Sequence, residues 1–241
     1  LTGNQFTAIT DDASGNLWIG TARDGLNCWR DGQFTAFHQA DGLPCENITS
    51  LCADREGVLW VGTGNGLGRW QSGRWTRFGA KDGLASDSIG YLIDDEQDNL
   101  WLGSNLGLMR VTKKSLASFA SDKGPAISCR VYGPGDGLPT SECTRDSQPA
   151  ACRTEDGRLW FPTTKGLVTF DPKQLRPNTN PPPVAIESVL LDDVEQNTNH
   201  LATTALRSLT LPAGAERLEI FYTSLNLAAP ERARFRYWME N

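Results

Sequence analysis

Up to Phe170 the apolar positions fall in short runs, each closed by a polar turn that carries glycine, which is the pattern of short strands and not of long helices. The stretch Ile48 to Phe78 shows one cycle. Ile48 to Asp54 reads as a first strand, and a Glu56-Gly57 turn leads to a second at Leu59–Gly62. An Asn65-Gly66 turn gives a hairpin into Leu67–Trp70, and Trp75 to Phe78 forms a fourth strand. The cycle repeats. Leu17-Trp18-Ile19-Gly20-Thr21 returns as Leu59-Trp60-Val61-Gly62-Thr63, as Leu100-Trp101-Leu102-Gly103-Ser104 and as Leu159-Trp160-Phe161-Pro162-Thr163, with Trp spacings of 42, 41 and 59. Gly-Leu follows each at 25–26, 66–67, 107–108 and 166–167, and Asp-Gly-Leu stands at 41–43, 82–84 and 136–138.

A four-stranded unit of about 41 residues cannot bury both faces of its sheet alone, so the units are expected to stack as blades of a β-propeller. Trp18, Trp60, Trp101 and Trp160 hold one sheet position and are expected to be buried between blades. Leu1 precedes Trp18 by 17 residues, as Leu43 precedes Trp60 and Leu84 precedes Trp101. It is therefore expected to be the Leu of a further Asp-Gly-Leu, and the sequence to be an excised segment, an open arc of blades whose outer faces are covered by another copy or by further blades. The fourth unit departs from the period. Lys113 to Lys123 reads as a short surface helix with Leu116, Phe119 and Ala120 on one face, stopped at Gly124-Pro125. Ile127 to Gly133 then resumes a fourth strand, because Tyr132 sits four before Asp136 as Phe37 and Phe78 sit before theirs.

The repeat ends after Phe170-Asp171-Pro172 without a fourth strand. The sequence divides into blades at 1–175, a proline-rich linker at 176–183 and a different β pattern at 184–241, with strands expected at Val184–Leu191, Leu209–Leu211, Leu218–Tyr222 and Arg234–Trp238. That pattern predicts the beginning of an immunoglobulin-like sandwich, cut short. The fold class is all-β.

Composition sharpens the functional side. The 241 residues include 24 Gly and 8 Trp against 2 Met and 2 His, with a net charge of −6. Acidity without a basic stripe argues against nucleic acid and against anionic membrane surfaces as partners. No apolar run reaches the roughly 18 residues of a membrane span.

The unit of Asp-Gly-Leu, a Trp-Ile-Gly-Thr-like strand and Gly-Leu is similar to the two-component regulator propeller repeat. Leu218-Glu219-Ile220-Phe221-Tyr222, Pro230-Glu231 and Phe235-Arg236-Tyr237 resemble the opening of the three-tyrosine (Y-Y-Y) domain that follows such propellers, and Gln148 to Pro172 resembles the last blade before it. The resemblance implies a periplasmic sensor region of an inner-membrane signalling protein whose output is a histidine kinase or a diguanylate cyclase. It also implies about seven blades, so that the remaining blades and C-terminal signalling modules would be partners in the parent chain.

Candidate chemistry is sparse. Asp12-x-x-Gly15 and Asp54-x-x-Gly57 resemble the Asp box of sialidase propellers but carry one residue too many, and they read as structural turns in which Asp accepts backbone N–H bonds. Cys52 and Cys152 lie on equivalent strands of non-adjacent blades and are expected to be too far apart to bond, and Cys143, in a long loop, is the one to inspect for a partner. With His38 and His200 as the only histidines and no CxxC, neither a metal nor another cofactor is expected. Gly64 to Gly68 leads into a strand, so it is a hairpin and no phosphate loop. In a propeller the loops from second to third strand share a face with those joining successive blades. That face carries Arg23, Asn65, Asn105 and Lys165 on the hairpins and Glu142 and Arg145 on an enlarged inter-blade loop, a set suited to a polar small molecule or oligosaccharide. The expectation is a non-catalytic ligand-sensing segment. A carbohydrate-binding or scaffold propeller without signalling output is the alternative, a carbohydrate-active enzyme a weaker one, and a homodimer is compatible with either.

Overall fold

The computed structural model describes residues 1–121, 124, 126–144, 150–175, 183–195, 214, 216–225 and 235. The chain divides into two compact units, Leu1–Leu175 and Arg176–Asn241.

The first unit is a partial β-propeller of four blades. The first blade holds β1 (Phe6–Asp11), β2 (Leu17–Thr21), β3 (Leu26–Arg30) and β4 (Gln33–Phe37). The second holds β5 (Ile48–Ala53), β6 (Leu59–Thr63), β7 (Gly66–Gln71) and β8 (Arg74–Phe78). The third holds β9 (Tyr91–Asp94), β10 (Asn99–Ser104), β11 (Gly107–Thr112) and β12 (Arg130–Tyr132). The fourth holds β13 (Cys152–Arg153), β14 (Leu159–Thr163) and β15 (Gly166–Phe170). Within each blade the strands pair antiparallel in chain order, so each blade is a meander. The fourth has three strands among the described residues.

Burial links the blades one after another. Trp18 belongs to a buried cluster with Leu43, Ile48 and Leu59 of the second blade, and Trp60 to one with Ile89, Leu100 and Met109 of the third. Trp101 belongs to one with Leu159 and Phe161 of the fourth. No cluster joins the first blade to the fourth among the described residues. The tryptophan of each blade is thus covered by the blade that follows, and Trp18, Trp60 and Trp101 are 3%, 1% and 0% exposed. Trp160, whose blade is the last described, is only half-buried, which departs from the burial expected for all four. The other end of the stack leaves Phe6 and Ile9 of β1 exposed.

Each inter-blade connection passes through a single 3-10 turn, at Gln39–Asp41, Ala80–Asp82 and Pro134–Asp136. The turn's aspartate accepts the backbone N–H of His38, Gly79 or Gly133 at 2.8, 2.8 and 2.9 Å. The glycine of Asp-Gly-Leu closes it at φ 117°, 115° and 95°, values open to glycine and costly for other residues. Leu43 and Leu84 then enter the core.

The inserted helix α1 (Lys113–Ala120) is shorter than the sequence suggested. Thr112 caps it by accepting the Ser115 N–H, while Ser121 ends it, its hydroxyl donating to the Ala117 carbonyl that a further turn would use. Leu116 is buried, and Phe119 meets Phe78 with ring centroids 6.2 Å apart. Ile127 lies before the resumed strand, which is confined to Arg130–Tyr132.

In the second unit, β16 (Val184–Leu191) pairs with β17 (Val194–Glu195) and with β18 (Leu218–Ser224). Asp192 and Asp193 take φ of 47° and 65° in the two-residue β16–β17 hairpin, a geometry that matches strand twist. The side chain of Asp192 accepts the backbone N–H groups of Glu216 and Arg217. The expected strands at Leu209–Leu211 and Arg234–Trp238 lie outside the described residues, apart from Phe235, which packs edge-on to Tyr222 at 4.7 Å. No helix among the described residues is long and apolar enough to cross a membrane.

Candidate functional site

The hairpins from second to third strand are built alike. Thr21, Thr63, Ser104 and Thr163 each donate a side-chain hydroxyl to the carbonyl of Gly25, Gly66, Gly107 and Gly166, at 2.8, 2.7, 2.8 and 2.7 Å. The same hydroxyls accept the N–H groups of Asp24, Asn65, Leu106 and Lys165. All four hydroxyl residues are buried, so each turn is braced from inside and the residues at its tip stay in solvent. Arg23, Asn65, Asn105 and Lys165 are exposed there.

Backbone bonds tie the inter-blade loops to these hairpins. Gly25 N–H donates to Glu46 O, Gly64 N–H to Asn47 O and Gly66 N–H to Asp87 O. Cys143 N–H donates to Ser104 O and Thr164 N–H to Glu142 O. Both sets of loops therefore occupy one face of the blade stack. The exposed Glu142 is joined to the hairpin that carries Lys165, and Asn105 Oδ1 accepts the Ser86 hydroxyl at 3.0 Å, joining a hairpin to the preceding loop. Arg23 and Asn65 stand on the hairpins of successive blades, and Arg145 lies outside the described residues. Glu46 is occupied already, accepting the Gln39 N–H and lying 3.1 Å from His38 Nδ1. The face presents amide, cationic and carboxylate groups on braced turns, among them Asn65, Asn105, Lys165 and Glu142.

The opposite face is made of turns between first and second strands, and there the aspartates do more than hold a turn. Asp12 accepts the N–H groups of Ser14 and Asn16 with one oxygen and the Trp18 indole N–H, at 2.8 Å, with the other. Asp54 does the same for Glu56, Val58 and Trp60, and Asp95 for Gln97, Asn99 and Trp101. In the fourth blade Thr154 stands in place of the aspartate, its hydroxyl 3.4 Å from Trp160 Nε1. Burial would raise the Asp12 carboxyl, but the bonds from Trp18, Asn16 and Ser14 outweigh it and the carboxyl lies below its ordinary value of 3.8. The six-residue interval from Asp to Trp, at 12 and 18, 54 and 60, and 95 and 101, was the sequence signal for these locks.

On this face Asp54, Glu56 and Asp94 bring carboxylate oxygens within 4.8 Å of one another. Lys113 Nζ lies 3.6, 2.6 and 3.0 Å from them, so an ammonium fills the centre of the triad. Burial opposes its charge, yet the bonds to Glu56 and Asp94 prevail and the lysine is raised above its usual range, while Glu56 is held below its own by Lys113. Asp98 occupies the place of the turn glycine with φ 75°, accepting the Lys113 N–H at its carbonyl and the Lys114 N–H at its carboxylate. Glu96 bridges Arg55 of the second blade, at 2.8 Å, and Arg153 of the fourth, at 2.5 Å. This face is a mechanical tie across three blades. All six cysteines are free: Cys143 and Cys28 are buried, Cys152 is exposed, and burial pushes the Cys52 thiol up to about 11.

Meander blades stacked through strand tryptophans, with braced loops on one face, define a β-propeller of the repeat type. The family model of the two component regulator propeller matches residues 1–23 and 42–65, within the first two blades. A solved structure described as the extracellular domain of a hybrid two component system from B. thetaiotaomicron superposes with a TM-score of 0.70 at 20% identity, over 95% of this chain and 30% of that one. Another, described as the extracellular domain of a one component system from the same organism, gives 0.58 at 18% identity, over 76% and 28%. The chain thus spans less than a third of the length of either neighbour. No curated protein matches the sequence.

Proposed function

We propose that this chain is part of the extracellular or periplasmic sensor region of a bacterial transmembrane signalling receptor, binding a polar solute such as an oligosaccharide on the hairpin face. The observation that carries the reading is the match of residues 1–23 and 42–65 to two-component regulator propeller repeats, in a fold shared with extracellular domains described as belonging to such systems. Arg23, Asn65, Asn105, Glu142, Arg145 and Lys165 contact the ligand. The blades bind without catalysing, and the second unit passes the change on towards the membrane as a Y-Y-Y domain does. The output is a histidine kinase or a diguanylate cyclase in the parent chain.

The full reading frame tests this first. A membrane span followed by a kinase or cyclase module, with the propeller reached by protease added to intact spheroplasts, is the expected result. A frame that encodes a secreted propeller with no membrane anchor contradicts it and favours the carbohydrate-binding or scaffold alternative.

A further inference from the structure

Asn65-Gly66 is the one Asn-Gly step in the 241 residues. Chemistry at such a step needs no enzyme, because the glycine's backbone nitrogen is unshielded by a side chain and can lose its proton and attack the asparagine side-chain carbonyl. A carbon–nitrogen bond forms, ammonia leaves, and the five-membered imide takes up water to give aspartate or isoaspartate. Asn16, Asn99 and Asn105 each precede a leucine, whose side chain crowds the same attack. In this fold the two partners sit in different surroundings: Asn65 is exposed at the hairpin tip and Gly66 is buried behind it. The Gly66 N–H donates to the Asp87 carbonyl at 2.6 Å, while the Asn65 N–H donates to Thr63 Oγ1 at 3.1 Å and the Gly66 carbonyl accepts the Thr63 hydroxyl at 2.7 Å. The attacking nitrogen is therefore held as a hydrogen-bond donor, away from base in solvent.

We propose that Asn65 is a site of spontaneous deamidation latched by the Asp87 carbonyl, so that the connection between the second and third blades decides when the reaction occurs. Asp87 is not on the hairpin it guards. It is fixed by its own side chain, which accepts the Ala80 N–H at 2.7 Å, and by its neighbour Ser86, whose hydroxyl donates to Asn105 Oδ1 and accepts the Ser88 N–H. Release of these three bonds frees the Gly66 nitrogen without unfolding a blade, and a reaction that needs such an opening runs at its intrinsic rate multiplied by the open fraction. The first hairpin repeats the arrangement at Asp24-Gly25, where the buried Gly25 N–H donates to the Glu46 carbonyl at 3.1 Å. Each deamidation exchanges an amide for a carboxylate on the hairpin face, whether or not that face binds a ligand.

The test follows the tryptic peptide of residues 56–69, in which Asn65 is the one amide side chain, by mass spectrometry after incubation at mildly alkaline pH. The folded protein, the same chain unfolded in urea and a folded Ser86→Ala, Asp87→Ala variant are compared, with maleimide labelling of Cys52 in each sample as the monitor of blade separation. The expected result is conversion about tenfold or more slower in the folded protein than in the unfolded chain, and about threefold or more faster in the variant than in the folded protein while Cys52 stays unlabelled. Equal rates in the folded and unfolded chains overturn the proposal, as does a variant that reacts no faster than the unaltered protein. Acceleration that keeps pace with Cys52 labelling also overturns it, by making the reaction a product of blade separation and not of the latch.

Discussion

Asp54 Oδ2 accepts the indole N–H of Trp60 at 2.9 Å and lies 3.6 Å from the ammonium of Lys113. One carboxylate oxygen therefore joins the packing between the second and third blades to the helix inserted in the third. The tryptophan needs a buried acceptor, the acceptor needs a counter-charge, and the helix start supplies it.

Truncation should expose the order of the blades. Trp60→Ala removes a side chain covered by the next blade and is expected to cost about 3–5 kcal/mol of stability. Trp160→Ala, at a half-buried site with no following blade described, should cost less than half of that. Urea denaturation of both variants measures the difference, and equal losses would contradict burial by the following blade.

Lys113→Met leaves Asp54 and Asp94, with side chains 1% and 8% exposed, without their counter-charge, and is expected to cost about 3 kcal/mol. The pH dependence follows from Glu56, whose carboxyl is held below its ordinary 4.5 in the folded protein. Its contribution is complete above that value and is lost as pH falls through the depressed folded one. Lys113→Met should remove this part of the acid sensitivity, as read from denaturation midpoints between pH 6 and pH 3.

The Asp12 lock titrates by the same logic. Its carboxyl is depressed below 3.8 in the folded protein, so its stabilisation is full above that value and fades at lower pH. Asp12→Asn should flatten the loss of Trp18 fluorescence environment below pH 4, while the Thr154 lock of the fourth blade has no carboxylate to titrate against Trp160.

The propeller was legible because its information is local and repeated: glycines where turns need positive φ, Asp-Gly-Leu at three 3-10 turns, and tryptophan at one sheet position. What lay hidden depends on residues distant in the chain. Lys113 reads as a solvated helix start until Asp54, far back in the sequence, is folded against it. Asp98 takes a φ of 75° where the first two blades have glycine, held by its bonds to the helix start, which lie outside the repeat. The half-exposure of Trp160 was not legible either, because a repeated position does not say whether a neighbour follows it. On the hairpin face the sequence supplied the residue types and the topology supplied the shared face, through backbone bonds such as Thr164 N–H to Glu142 O.

Thiol chemistry offers a check on the placement of the strands. Cys152 is exposed while Cys143 and Cys28 are buried and Cys52 is raised to about 11. At pH 8 a maleimide should label Cys152 first, and Cys52 only on unfolding, as followed by mass spectrometry of digested protein. Early labelling of Cys52 would contradict its place between the second and third blades.

The hairpin face is tested most directly by thermal shift against a panel of oligosaccharides and small polar acids, comparing the protein with an Asn65→Ala, Asn105→Ala, Lys165→Ala variant. The account predicts that at least one member raises the melting temperature, that the triple variant loses the shift, and that Lys113→Met on the opposite face keeps it. A ligand whose shift survives the triple variant, or a panel with no response at all, would contradict a sensor that reads polar solutes on this face.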